Sequence, residues 1–324
     1  MLLKLTGLIW LFAFASIISP RNYERQMPAT QLDNAYEPPA EFDVVVSMYG
    51  ESPTLITNMM SALSRSSFIR ERDSRRLFIY TKDTAADLDK IKTFTGATAV
   101  TLLPNKGREG ETYLHHITTQ WDNLARHTLF TQAEVHNPRE TYTRIRDYFV
   151  SDTGMLSLGF SGHVCEDCES CTDRWGWSDD SSRVVPDLYS RVYANESCAA
   201  SKTPILLSYK GQFIASAQRI RGIDRDIYAD LHTALVDEDS WAHDVDYLHG
   251  RKDDMNAPVL GYTLERMWGL LLQCSGDMRI AAKCPSLLSG LSGWRKKTTT
   301  SFWSMRWGSD EGDQGLRDCQ CLDS

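Results

Sequence analysis

No cysteine occurs before Cys165, although eight follow from there on. The first half of the chain therefore has no thiolate or disulfide chemistry. The chain also lacks a Gly-x-x-x-x-Gly-Lys-Ser/Thr loop, a Gly-x-Ser-x-Gly turn and a His-Glu-x-x-His helix. P-loop phosphate hydrolysis, serine-hydrolase chemistry and zinc-helix proteolysis lose their usual carriers. Positive charge is in short supply: 35 Lys and Arg stand against 43 Asp and Glu, a formal net charge of −8. Such a balance does not gather nucleic acid by long-range field. No apolar run reaches full spanning length. Leu5–Ser19 is uncharged but falls short of the roughly 20 residues that a membrane helix needs.

That short run still has a reading. Lys4 precedes it, Arg21 and Arg25 follow it, and Ala13-Phe14-Ala15 has the small-x-small pattern of a cleavage site. A cleaved signal peptide and an uncleaved signal anchor over residues 1–20 both fit, the second holding the protein to a membrane. Asn195-Glu196-Ser197 is a glycosylation sequon, so Asn195 is the expected glycan carrier. The even cysteine count adds to the case for an oxidising lumen. The expected location is the secretory pathway: the ER or Golgi membrane in type II orientation, or secretion. Cys165, Cys168 and Cys171 have no matching histidine or second pair at zinc spacing, so disulfides are expected, with connectivity open.

Residues 21–40 are polar and end at Pro38-Pro39, which reads as a stem. From Glu41 the pattern is one of strands alternating with helices. Strands are expected at Phe42–Tyr49, Arg76–Thr81, Ala97–Leu103 and His127–Thr131. Helices are expected at 53–64, Thr84–Phe94 and Glu109–Leu124. This order predicts an α/β domain over 41–274 with an open, mostly parallel, doubly wound, Rossmann-like sheet. Its second half is loop-rich and holds the cysteines. Residues 275–324 are expected to be poorly ordered.

Three constellations carry chemistry. The window Leu103–Ile117 contains Asn105, Arg108, Glu109, Glu111, His115 and His116 where a strand opens into a helix. A helix N-terminus with an arginine suits a phosphate or carboxylate, so Asn105, Arg108, Glu109 and His115 are candidate substrate contacts. Gln132, Glu134 and His136 alternate past the fourth strand, which would put all three on one face as metal ligands. Glu265, interrupting an apolar helix start, is a candidate general base.

Six segments come in the order of a family: Phe42–Tyr49, Phe78–Lys82, Leu103–Ile117, Leu129–Gln132, Gly211–Ser216 with Arg219-Ile220-Arg221, and Leu264–Trp268. They resemble a fungal family known as domain of unknown function 3431, over roughly Glu41 to Cys274. That family in turn resembles nucleotide-sugar glycosyltransferases of the GT-A type. The resemblance implies a nucleotide beside Tyr49 and Glu51, and phosphates beside Lys82 and Arg108. It places Gln132, Glu134 and His136 at a divalent metal (Mn²⁺ or Mg²⁺) or donor sugar, with Glu134 catalytic. Gln212 and Glu265 would line the acceptor side. Gln132-Ala133-Glu134 stands where that type has an acidic pair. The implied activity is group transfer from a nucleotide-activated donor to a small-molecule or glycan acceptor. Two alternatives stay open: a secondary-metabolite enzyme such as a tRNA-dependent arginine-containing cyclodipeptide synthase, which the acidic charge disfavours, and a non-catalytic binding protein.

Overall fold

The computed structural model describes residues 28–65, 75–166, 168–179, 183–194, 196–201, 203–284 and 315–323. The β-branched run expected to be a buried strand is β1 (Phe42–Met48), and all seven of its residues are buried. Phe42, Val44 and Val46 face one core and Val45 the other, so the strand is covered on both sides. Helix α1 (Pro53–Leu63) starts at Ser52, whose side chain accepts from the Thr54 N–H, with proline at the first turn. Strand β2 (Arg75–Thr81) and helix α2 (Leu88–Thr95) follow. Asp87 caps α2 through the Lys90 N–H, which moves the start four residues past the expected Thr84. Strand β3 (Ala99–Leu102), helix α3 (Arg108–Thr119), strand β4 (His127–Gln132) and helix α4 (Pro138–Tyr148) complete the regular half. Helix α3 ends at Thr119, short of the expected Leu124, and a 3₁₀ turn covers Trp121–Asn123.

The second half contributes β5 (Thr153–Ser157), β6 (His163–Cys165), α5 (Val184–Val192), α6 (Cys198–Ser201), β7 (Ile205–Leu207) and β8 (Phe213–Ser216). Then come α7 (Ala217–Ile220), α8 (Arg225–Val236), α9 (Val245–Leu248), α10 (Val259–Leu271), α11 (Met278–Lys283) and β9 (Gln320–Leu322). The main sheet runs β3-β2-β1-β4-β8-β5-β9. Strands β1 to β4 are parallel, and β8 runs antiparallel to both its neighbours. The mostly parallel, doubly wound sheet read from the sequence is therefore present, with antiparallel pairing confined to one side. Val45, Tyr113, Phe130, Phe213 and Trp268 fill the core on one face of the sheet. Ile56, Leu129 and Ile145 fill the core on the other.

Two boundaries need correction. Residues 28–40, read as part of a stem, lie on the domain. Gln31 exchanges two main-chain hydrogen bonds with the Gln273 side chain, at 2.7 and 3.0 Å. Asp33 pairs with Arg221 at 2.8 Å, and that guanidinium sits 4.2 Å from the Tyr36 ring centre. Gly222 permits this docking, because a Cβ there would meet the Gln31 carbonyl at 1.9 Å. Poor order over 275–324 also fails for 278–284 and 315–323. Strand β9 pairs antiparallel with β5. Cys274–Cys321 and Cys284–Cys319 fasten it, and Arg219, buried against Asp323 at 2.7 Å, closes the corner. The tail lacks hydrophobic periodicity because its order comes from covalent and ionic ties.

Cys165–Cys171 and Cys168–Cys198 are the other disulfides, so every cysteine is paired. Four bridges fit an oxidising, secretory environment. The apolar segment Leu5–Ser19 and the sequon residue Asn195 lie outside the described residues. Among the described residues no helix is long and apolar enough to cross a membrane. Replacing Cys274 and Cys321 together by serine should lower unfolding free energy by roughly 2–4 kcal/mol. Urea unfolding with intrinsic tryptophan fluorescence measures this, and an unchanged midpoint would mean that β9 docks without its bridge.

Candidate functional site

The strand after β1 in the chain lies on one side of it and β4 on the other, both parallel. A crevice opens outside the carboxyl ends of strands at such a reversal. Ser47 of β1 faces Gln132 of β4 in register there. The loop after β2 delivers Lys82, which is 4% exposed. Its ammonium donates to the main-chain carbonyls of Lys106 and Arg108 and pairs with Glu111 at 2.9 Å. Those contacts hold an unusual helix entry. Gly107 and Arg108 are both left-handed, at φ 65° and 53°. For Arg108 that conformation costs on the order of 1 kcal/mol or more.

The bent entry turns Arg108 toward two carboxylates. Its guanidinium lies 3.5 Å from Glu109 and 3.5 Å from Glu265 of α10, and 4.3 Å from the centre of the Tyr262 ring. The other oxygen of Glu265 accepts the Lys210 N–H at 2.7 Å. Lys210 and Gly211 form a second left-handed pair, at φ 75° and 56°. A Cβ at Gly211 would come within 3.1 Å of the Glu109 carboxylate, so glycine lets the carboxylate approach the loop. Gln132 Nε2 donates to the Lys210 carbonyl at 3.0 Å, while its Oε1 is buried without a hydrogen-bond partner among the described residues. Arg108, Glu109, Gln132, Lys210 and Glu265 thus meet at the strand reversal.

A cavity of about 410 Å³ lies beside β1 and β2 at the same edge. Tyr49, Glu51, Asp83, Lys90 and Phe94 are among its walls. Tyr49 and Phe94 are more than half exposed, and the Tyr49 N–H is held by Glu51 at 2.6 Å. The expected nucleotide residues Tyr49 and Glu51 therefore share one concave surface.

Other expected residues fall elsewhere. Lys82 is at the right edge, but its ammonium is buried and fully engaged, which takes it out of direct phosphate contact. Gln212 is 2% exposed, and its amide joins the main chain of His136 at 2.7 and 3.1 Å. It positions the loop after β4 and does not line an acceptor surface. The one-face alternation of Gln132, Glu134 and His136 fails because β4 ends at Gln132 and the chain bends. Glu134 and His136 are both exposed. Asn105 is exposed in the loop before α3. His115 faces Tyr80 and His232, with ring centres 5.5 and 5.8 Å away. Lys210, Gly211, Tyr262, Phe94 and His232 were not foreseen. The Lys-Gly dipeptide between two strand-like runs was the available turn signal for the first two.

The electrostatics differ across this small region. Burial pushes the Glu109 carboxyl above its ordinary range, with Glu265 adding to the rise and Arg108 opposing it. Burial lowers Lys82, and Glu111 works against that. For Glu111, burial acts upward but the His232 hydrogen bond and the Lys82 charge outweigh it, leaving a net lowering. Burial lowers His116 to about 3, and its Nδ1 meets the Tyr80 hydroxyl at 2.9 Å. A histidine depressed on folding is neutral in the native state and protonated in the unfolded one below about pH 6.5. Its stabilisation is complete above that pH and is lost as pH falls toward 3. His116→Gln should flatten the stability profile between pH 6 and 4, by up to about 1.4 kcal/mol per pH unit. Urea midpoints across that range test it; parallel profiles would assign the slope to other groups.

No curated protein matches the chain. A solved structure of glucosyl-3-phosphoglycerate synthase from Mycobacterium tuberculosis, in complex with Mn²⁺, uridine diphosphate and glucosyl-3-phosphoglycerate, is similar at a TM-score of 0.31. Identity is 11%, over 60% of this chain and 65% of that one. The model of the family described as "Protein of unknown function (DUF3431)" matches residues 63–287, more than half of the sequence. The chain belongs to that family.

Proposed function

We propose that the protein is an enzyme that transfers a glycosyl group from a nucleotide-activated donor to a hydroxyl acceptor. One observation carries the reading: Glu109 and Glu265 flank Arg108 at the strand reversal, and a cavity of about 410 Å³ walled by Tyr49 and Phe94 opens at the same carboxyl edge of the sheet. Paired aromatics around a cleft suit the flat face of a nucleobase. Arg108 suits the diphosphate, because a guanidinium grips phosphate oxygens with two parallel donors. Glu265 and Tyr262 hold that guanidinium in place. Glu109 is the base. A carboxylate raised by burial is matched to proton transfer nearer neutral pH. The acceptor oxygen bonds to the sugar carbon as the bond to the donor phosphate breaks. The hydroxyl proton goes to Glu109, and the charge released on the leaving diphosphate meets Arg108. Gln132 Oε1, buried without a hydrogen-bond partner among the described residues, is the oxygen donor there that would face Mn²⁺ or Mg²⁺, and such an ion would neutralise charge on that diphosphate.

A panel of nucleotide sugars, with and without Mn²⁺, should raise the melting temperature for one nucleotide. Glu109→Gln should lower kcat by about 10²-fold or more without loss of stability. Glu134→Gln should cost less than tenfold. The reverse ranking would move the base to Glu134, and no shift with any nucleotide would remove the transferase reading.

A further inference from the structure

On the far side of α3 a second cluster forms from residues that the transfer chemistry does not use. Glu111 and His115 are one helical turn apart and share a face. His232 reaches them from α8, which packs against α3. The ligand atoms of all three lie within 4.8 Å of one another. We propose that Glu111, His115 and His232 form a transition-metal site that takes Zn²⁺ and ties α3 to α8.

The geometry already matches one edge of the site. Glu111 Oε1 and His232 Nε2 are 3.2 Å apart. Two ligands on bonds of about 2.0–2.1 Å around a tetrahedral zinc stand about 3.3–3.4 Å apart. A rotation of the half-buried His115 ring closes the third corner, leaving the fourth to solvent. Lys82 supports the arrangement from behind. It holds Glu111 Oε2 at 2.9 Å, which orients the carboxylate and directs Oε1 at the His232 imidazole. The ammonium also selects among ions. Its charge opposes any cation, so Mg²⁺ and Mn²⁺, which rely on anionic oxygen, gain little from one shared carboxylate. Two imidazoles favour Zn²⁺ instead. Glu109 and Glu111 point about 200° apart around the helix, so this site is separate from the transfer crevice. It does not rest on the transferase reading.

The test uses tag-free full-length protein stripped with EDTA. Zn²⁺ is titrated against a chromophoric chelator, and Co²⁺ is added in parallel for its visible absorption. One Zn²⁺ per chain is expected, with His115→Gln and His232→Gln each weakening binding at least tenfold. His163→Gln, away from the cluster, should leave affinity unchanged. Glu111→Gln keeps the shape, removes the charge and should also weaken binding, and circular dichroism confirms that each variant is folded. Absence of stoichiometric uptake, or uptake indifferent to His115 and His232, would overturn the site and leave a plain His232–Glu111 hydrogen bond.

Discussion

The buried ammonium of Lys82 is the constraint on which the crevice depends. Taking a lysine out of water costs several kcal/mol unless the charge is matched. Here Glu111 matches it, and the carbonyls of Lys106 and Arg108 fill the remaining donors. The two carbonyls lie on either side of the left-handed Gly107, so satisfying the ammonium fixes how the chain enters α3. Without that fixed point Arg108 would lose the main tie on its positive φ. Its guanidinium would then lose the approach to Glu265 and Tyr262. A buried charge thus decides where the half-buried charges at the sheet edge sit.

The Lys210-Gly211 turn completes the arrangement from the opposite side. Tyr113, fully buried on α3, donates its hydroxyl to the Gly211 carbonyl at 2.9 Å. The helix that carries Arg108 and Glu109 therefore also holds the loop that braces Glu265. Tyr113 thus ties the Lys210-Gly211 pair to the helix that the Gly107-Arg108 pair opens. Backbone strain of this kind persists only where the surroundings over-determine it. Here a buried lysine, a buried tyrosine and the packing of α8 and α10 on α3 do so.

The sequence made the parallel half of the sheet legible because the physics there is local and periodic. Seven consecutive buried residues in β1 leave a β-branched run that reads directly as a strand. Helix ends were less legible: Asp87 sets the start of α2 through a single side-chain hydrogen bond. The window around Arg108 stood out by its density of charge, and Glu265 by its place in an apolar helix. Their meeting did not, since it depends on two left-handed turns and on residues 157 apart in the chain. The tail was misread for a related reason. Strand β9 has almost no hydrophobic signature, and Cys274, Cys284 and Arg219 hold it from distant points of the sequence.

Helix α3 emerges as the element around which both charged clusters are arranged. Its angular period separates two carboxylates that are adjacent in sequence terms. Glu109 turns toward Gly211 and Arg108, where burial raises it. Glu111 turns toward Lys82 and His232, where charge and hydrogen bonds keep it ionised. The same residue type is thereby given opposite tendencies within one helical turn. The difference comes from what the sheet edge and α8 place opposite each face.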